Sequence, residues 1–250
     1  MKAIILAAGS STRLGSLTKT IPKGLLEING KSIIQKQIDI YRKNGIDEII
    51  IIVGPNSEKF SFKNVKYVQD LNYEEHEVLG SLMTAKEFMD EGFIMTYSDI
   101  IYEESILKSM LNSENSLTVA VDLKWEKNYQ DRSEHPKTQA DNVLIQSGKV
   151  LKIKKNIIKE KDMQTLGEFI GMMKISKEGV KEFIDIFLEL NQTCEGQFQN
   201  APTFKKAYLT DLLQELIDRR KDVFAQIIKG KWMELDTLQD LEKANNDFKE

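Results

Sequence analysis

The sequence predicts an α/β protein centred on a mostly parallel sheet flanked by helices. Three stretches carry that expectation. Ala3 to Ala8 is an apolar run of strand length that stops at small residues, the pattern of a strand buried on both faces. Ser32 to Asn44 places Ile33, Ile34, Gln37, Ile38 and Tyr41 near helical spacing, with Ser32 set to cap the first turn and Gly45 to end it. Ile49 to Val53 is a second apolar run of strand length. With Val65 to Val68 as a short third strand, this β-α-β alternation implies a doubly wound sheet, with ligands at the carboxyl ends of its strands.

The bulk properties narrow the function classes. A chain of 250 residues, 41% hydrophobic and 30% charged, has the composition of a globular domain large enough to bury a sizeable core. A net charge of −4 gives no support for a nucleic-acid footprint, so any phosphate must be held by local cations. The single Cys194 leaves no intrachain disulfide and no multi-cysteine zinc site. Met1-Lys2 leads straight into a short strand, without the pattern of a secretory signal, and no apolar run is long enough to span a bilayer. These features predict a cytoplasmic protein with neither nucleic-acid nor membrane partners.

The first strand feeds a loop rich in Gly, Ser and Thr that carries Arg13, and Lys23 follows Pro22 a few residues later. Small side chains let successive backbone N–H groups approach an anion, and an arginine adds a charge-assisted fork. The set suits a nucleoside triphosphate. The loop is neither G-x-x-x-x-G-K-[ST] nor G-x-G-x-x-G, and the residues alone leave an ordinary turn open.

Further along, Glu77 to Leu82 starts a helix running to about Met89, where Gly80 and Ser81 read as caps. Phe93 to Tyr97 is a strand ending at Ser98-Asp99. A carboxylate there either binds Mg²⁺, a hard cation that takes oxygen ligands, or caps a helix from Glu103. Ser116 to Asp122 is another strand. In the mixed stretch that follows, Trp125 and Tyr129 sit four apart with Arg132 three further on. That group either holds a small charged ligand or is a structural excursion anchored by Trp125. His135, before a proline, is a turn residue or a substrate contact.

Asp141 to Lys155 reads as two strands around Ser147-Gly148-Lys149, with Lys152, Lys154 and Lys155 flanking the second. Lys177 to Leu190 is an amphipathic helix, 191–206 a loop, and Ala207 to Arg219 a helix in which Asp211 sits early. Val223 to Ile228 is a strand, and a closing helix starts at Leu238 with Thr237 or Asp236 as its cap.

Four motifs together resemble a known family. Leu6 to Leu14 reads L-A-A-G-x-S-T-R-L, followed by Pro22-Lys23. Trp125, Tyr129, Arg132 and Glu134-His135-Pro136 lie in the middle, then G-E-F-x-G-x-x-K over Gly167 to Lys174, then W-x-E-[IL]-D-T from Trp232. The pattern resembles the nucleotidyltransferases that make activated sugars and CDP-choline. It is most similar to the phosphocholine and phosphonate cytidylyltransferases associated with phosphoenolpyruvate mutases.

The resemblance implies a Rossmann-like fold with a mixed sheet, in a single domain of residues 1–250 with 122–170 as a candidate substrate-side insertion. It implies nucleotide contacts at Leu6, Ala7, Ala8, Gly9, Ser10, Ser11, Thr12, Gly80 and Ser81. Arg13 and Lys23 would be the catalytic cations, and Mg²⁺ would bind Asp99 and Asp236. Trp125, Tyr129, Arg132, Lys154 and Glu168 would contact substrate, and Gly171 would permit close backbone approach.

The implied reaction joins CMP from CTP to a small phosphonate, such as 2-aminoethylphosphonate or 2-hydroxyethylphosphonate, releasing pyrophosphate. Phosphocholine and then a sugar 1-phosphate are the alternative acceptors. Gln139-Ala140 departs from the family's usual Glu-Ala, which weakens the case for a cationic acceptor head. A non-catalytic nucleotide sensor on the same fold would lack one of these aspartates or the lysine, and all are present. Oligomeric state is left open.

Overall fold

The structure, a computed structural model, describes residues 1–9, 21–130, 132, 135–159 and 161–249. The chain begins with β1 (Lys2–Ala7), a short ribbon of β2 (Glu27–Ile28) and β3 (Lys31–Ser32), α1 (Ile33–Lys43), β4 (Ile49–Val53), β5 (Lys66–Gln69), α2 (Val78–Met83), β6 (Phe93–Tyr97), β7 (Ile100–Tyr102) and α3 (Glu104–Leu111). It continues with β8 (Leu117–Asp122), β9 (Asp141–Gln146), β10 (Lys149–Lys155), β11 (Thr165–Ile175), α4 (Lys177–Thr193), α5 (Leu209–Asp218), β12 (Phe224–Ile227), β13 (Trp232–Glu234) and α6 (Leu238–Asp247).

Among the described residues one sheet runs in the order β5-β4-β1-β6-β11-β8-β12-β10-β9. Strands β5, β4, β1 and β6 are parallel, as the apolar runs predicted. Side chains along a strand point alternately to opposite faces. Accordingly Ile4 and Leu6 pack with α2, α4 and α5 through Leu82, Phe183 and Leu212. Ala3 and Ile5 pack with α1 and α3 through Ile34, Ile38 and Leu107. Burying one such side chain contributes about 2 kcal/mol, so β1 and β4 need a helix layer on each face.

Beyond β6 the sheet is mixed, because β11 runs antiparallel to both β6 and β8. Its first residues, Thr165–Glu168, pair with β9, and its last, Met172–Ile175, pair with β6. Between them the register against β8 shifts at Gly171, whose φ is +77°. A Cβ there would lie 2.6 Å from the Tyr97 ring, so the positive φ and the packing of Tyr97 both require glycine at this position.

Three local readings of helix ends are decided by the structure. Helix α2 starts after Glu77 and ends at Met83, so Gly80 and Ser81 lie inside it rather than capping it; Thr84 then bonds back to the Ser81 carbonyl at 2.7 Å. Asp99 does not cap α3. It sits in a turn between β6 and β7, a strand too short to stand out in the sequence, which pairs with β13. Thr237 rather than Asp236 caps α6, accepting from the Asp240 N–H at 3.3 Å. Among the described residues no helix is long and apolar enough to cross a membrane.

Candidate active site

A cleft of about 680 Å³ opens at the carboxyl ends of β1 and β6. Leu6, Ala7, Ala8 and Gly9 form its floor, and Pro22, Lys23, Ser98 and Asp99 one side. Ser10, Ser11, Thr12 and Arg13 lie outside the described residues.

The centre of the cleft is a knot of opposite charges. The Lys23 ammonium lies 3.2 Å from Asp99 Oδ2 and also contacts Asp236 Oδ1, so residues 213 positions apart share one cation. Local sequence builds this contact. Lys23 sits on a single 3₁₀ turn after Pro22, and Gly24 next to it is pressed against Ile34 and Ser98, where a Cβ would fall 2.5 Å from Ile34 Cδ1. On the Asp99 side, the buried Gln37 amide of α1 donates to the Tyr97 and Ile100 carbonyls at 2.9 and 2.7 Å and fixes the turn between them. On the Asp236 side, the Leu235 N–H donates to the Asp99 carbonyl at 2.9 Å, which ties the two aspartates side by side. Burial by itself lowers an ammonium's pKa, but Asp99 and Asp236 outweigh it and hold Lys23 above its ordinary value.

The opposite wall comes from β9, β10 and β11. Glu168 is 3% exposed; its Oε1 accepts a hydrogen bond from the Tyr129 hydroxyl, and its Oε2 is buried with no hydrogen-bond partner among the described residues. Burial pushes the Glu168 carboxyl up to about 8; the Tyr129 hydrogen bond opposes that shift, and Asp141 and Asp122 reinforce it. Burial likewise raises Asp141 to about 6, against the pull of Lys155. Tyr129, Asp141, Lys155 and Gln139 all face the cleft.

Three of the expected substrate contacts do not line it. Trp125 is 5% exposed and packs edge-on against Tyr129 with centroids 5.8 Å apart, so it supports the residue that reaches the cleft. Arg132 donates to Asp240 Oδ2 at 2.7 Å and stacks 5.3 Å from the Tyr129 ring centre; its charge is spent on the scaffold. Lys154 is replaced at the cleft by Lys155, because neighbouring strand residues point to opposite faces.

Of the two helix residues expected near the base, Ser81 lines the cleft and Gly80 does not. Ser81 Oγ donates to Asp70 Oδ2 at 2.7 Å, and His76 Nε2 lies 3.2 Å from Asp70 Oδ1. Gly80 makes room for that histidine, since a Cβ would fall 2.4 Å from its ring.

Two residues exceed what the sequence reading had assigned. Glu234 stands two residues before Asp236, and period-two spacing puts both on one face, a signal available in W-x-E-x-D. Its partial burial, with Asp236 and Asp99 alongside, raises its pKa above the ordinary value. His135 is not a turn residue facing solvent. It is 5% exposed, with Nδ1 against Asp236 Oδ2 and Nε2 4.0 Å from Glu234. The donors suit a divalent cation: Asp99 Oδ1 is a buried oxygen with no hydrogen-bond partner among the described residues, beside a second carboxylate.

The fold is that of the nucleotidyltransferases. The structure superposes on the CTP:phosphocholine cytidylyltransferase of Streptococcus pneumoniae with a TM-score of 0.75 at 23% identity, covering 99% of each chain. It superposes on the inositol-1-phosphate CTP transferase of T. maritima with 0.71 at 19%, covering 99% of this chain and 96% of that one. At these identities the likeness establishes the fold.

The chain belongs to the MobA-like NTP transferase domain family, whose pattern matches residues 3–167. In sequence it is 29% identical to the CTP:phosphoglutamine cytidylyltransferase of Campylobacter jejuni over 97% of this chain and 98% of that protein. It is 33% identical to the 2-aminoethylphosphonate cytidylyltransferase of Lancefieldella rimae over 42% of this chain and 46% of that protein.

Proposed function

We propose that this chain transfers a cytidylyl group from CTP to a phosphonate or phosphate oxygen of a small, amine-bearing acceptor, with 2-aminoethylphosphonate the first candidate. The observation that carries the reading is the single ammonium of Lys23 held between Asp99 and Asp236 at the open ends of β1 and β6. The acceptor oxygen forms a bond to the α-phosphorus, and the bond to the bridging oxygen breaks, releasing pyrophosphate. That oxygen is already ionised near neutral pH, so no protein base is required. The demand is for alignment and for neutralising two anions brought together.

A divalent cation, with Mg²⁺ the expected one, bound by Asp99 and Asp236 would supply positive charge to the phosphoryl oxygens. Lys23 adds a fixed charge where negative charge builds up. The floor at Leu6 to Gly9 presents backbone close to the polyphosphate, and Arg13 is assigned to the departing phosphates. Ser81 is assigned to the nucleoside.

The acceptor's cationic end falls to Glu168 and Asp141. Glu168 Oε2 is buried and without a hydrogen-bond partner among the described residues. A primary ammonium can donate to it, whereas a quaternary ammonium has no N–H to give. This favours an amine over choline, and it compensates for the missing Glu at Gln139. The relation to the phosphoglutamine enzyme also supports an acceptor that carries an amine.

The test is pyrophosphate release from each of the four nucleoside triphosphates, paired with 2-aminoethylphosphonate, 2-hydroxyethylphosphonate, phosphocholine and glucose 1-phosphate, with and without Mg²⁺. Release is expected with CTP and the aminophosphonate. No release from any pair would instead support a nucleotide-binding regulator.

A further inference from the structure

Helix α1 gives the cleft none of its lining among the described residues, yet it carries a polar side chain on its apolar face. Gln37 is 1% exposed and shares that face with Ile33, Ile34, Ile38 and Tyr41, all fully buried. Leucine or methionine would suit a helix as well and would leave no polar atoms to satisfy. A buried amide costs free energy unless its two N–H groups and its oxygen find partners. All of them do. Nε2 donates to the Tyr97 and Ile100 carbonyls, and Oε1 accepts from Thr96 Oγ1 at 3.2 Å. The Tyr41 hydroxyl, also from α1, donates to the same Thr96 oxygen at 3.0 Å. Thr96 therefore orients the amide, and only its NH2 end can meet the two carbonyls.

Those two carbonyls bracket Ser98 and Asp99. Tyr97 is the last residue of β6 and Ile100 the first of β7, which pairs with β13 instead of the central sheet. The amide thus staples the chain where it crosses from one sheet to the other. The same helix also reaches the lysine side of the ion pair. Ile34, three residues before Gln37 and on one face with it, packs against Gly24 beside Lys23. Gly24 in turn abuts the Asp99 turn, since a Cβ on it would fall 3.0 Å from Ser98 Cβ. One turn of α1 therefore touches both the segment that carries Lys23 and the turn that carries Asp99, whose charged ends lie 3.2 Å apart.

We propose that α1 spaces the reacting groups from behind, with Gln37 a positioning residue that acts through Asp99. Its amide holds the Asp99 turn at the depth where the carboxylate meets Lys23, while Ile34 supports the turn that carries Lys23. Displacing a reacting group by about an ångström can cost roughly a hundredfold in rate, even with every group still present. The inference rests on the nucleotidyl-transfer reading. It gives Gln37 no contact with nucleotide or acceptor, so loss of the amide lowers kcat and leaves KM for CTP alone.

Gln37→Met keeps the bulk of the side chain and removes its hydrogen bonds. Ile38→Ala, on the same buried face, is the control for lost stability alone. With CTP, 2-aminoethylphosphonate and Mg²⁺, well below either Tm, Gln37→Met should release pyrophosphate about tenfold to a hundredfold more slowly, with KM for CTP within about twofold of wild type. Ile38→Ala should also lower Tm yet keep the wild-type kcat. Amide hydrogen exchange in the nucleotide-free protein, followed by NMR, reads the same contact without catalysis. The Leu235 N–H is bonded to the Asp99 carbonyl and the Ser98 N–H to the Leu6 carbonyl. Relative to the amides of β4, both should exchange about tenfold faster or more in Gln37→Met and keep the wild-type ratio in Ile38→Ala. Wild-type kcat in Gln37→Met, an equal loss of kcat in Ile38→Ala, or unchanged protection of both amides would overturn the inference. If Gln37→Met speeds exchange but the wild type releases no pyrophosphate from any pair, the transfer reading falls and the hold of Gln37 on the Asp99 turn stands.

Discussion

The two ends of the cleft rest on opposite kinds of sheet. At the nucleotide end, β5, β4, β1 and β6 run parallel, and β1 and β4 are buried almost throughout. Parallel strands bring their carboxyl ends to one edge, so what they offer a ligand is backbone and small residues, a grip suited to any polyphosphate. At the acceptor end, β9, β10 and β11 pair antiparallel, and the cleft receives individual side chains: Glu168, Asp141 and Lys155. On the proposed function, one end holds a shape common to all triphosphates and the other reads a particular small molecule. Lys23, Asp99 and Asp236 mark the seam.

Changes at the seam should stop chemistry, and changes at the acceptor end should alter selectivity. The largest effect is expected for Lys23→Ala. Losing a preorganised cation at the reacting phosphate costs on the order of 3 kcal/mol, roughly a hundredfold or more in kcat. The fold should survive by circular dichroism, and a variant turning over at the wild-type rate would remove Lys23 from the mechanism.

Next is Glu168→Gln, assayed above the carboxyl's pKa. It should raise KM for 2-aminoethylphosphonate by about tenfold to a hundredfold, the worth of one charged hydrogen bond. KM for CTP and for the hydroxyl analogue should hardly move; an equal rise in all three would erase the division between the ends.

A third test addresses the strand that joins them. Gly171→Ala must take up a φ of +77° with its Cβ against Tyr97. It should cost about 2–3 kcal/mol and lower Tm by roughly 5–10 °C in a thermal melt.

The mildest test is pH. Glu168 holds its proton up to about 8 in the fold, against an ordinary value of 4.5. Between those values the folded chain keeps a proton that the unfolded chain has released, so unfolding free energy falls as pH rises through that window. Urea midpoints measured across it should fall in the wild type and fall less in Glu168→Gln.

The same contrast explains what the sequence made legible. At the parallel end, burial on both faces leaves continuous apolar runs, and β1, β4 and β6 were readable nearly residue for residue. Ser32 was readable as a cap because its side chain takes the Gln35 N–H. The convergence of Lys23, Asp99 and Asp236 was anticipated through family motifs; no local pattern ties residues so far apart. At the acceptor end, one-residue precision decides which side chain faces the ligand, and so Lys154 was expected where Lys155 stands. Trp125 and Arg132 were taken for contacts because spacing shows that residues neighbour each other, not which of them is in front. His135 was legible as a candidate contact and does line the cleft, but its pairing with Asp236 was not; Asp141 gave no signal of its own, since its environment is assembled from distant segments.

Strand β11 is stitched by hydrogen bonds to β9 at its start and to β6 at its finish. On the proposed function it would act as a ruler laid across both binding ends, with the interval between the two reacting molecules counted out in residues along it. Re-tooling positions 165–170 would change which acceptor fits, while 172–175 keep their distance from the triphosphate grip, so new specificities can arise without re-gauging the reaction itself.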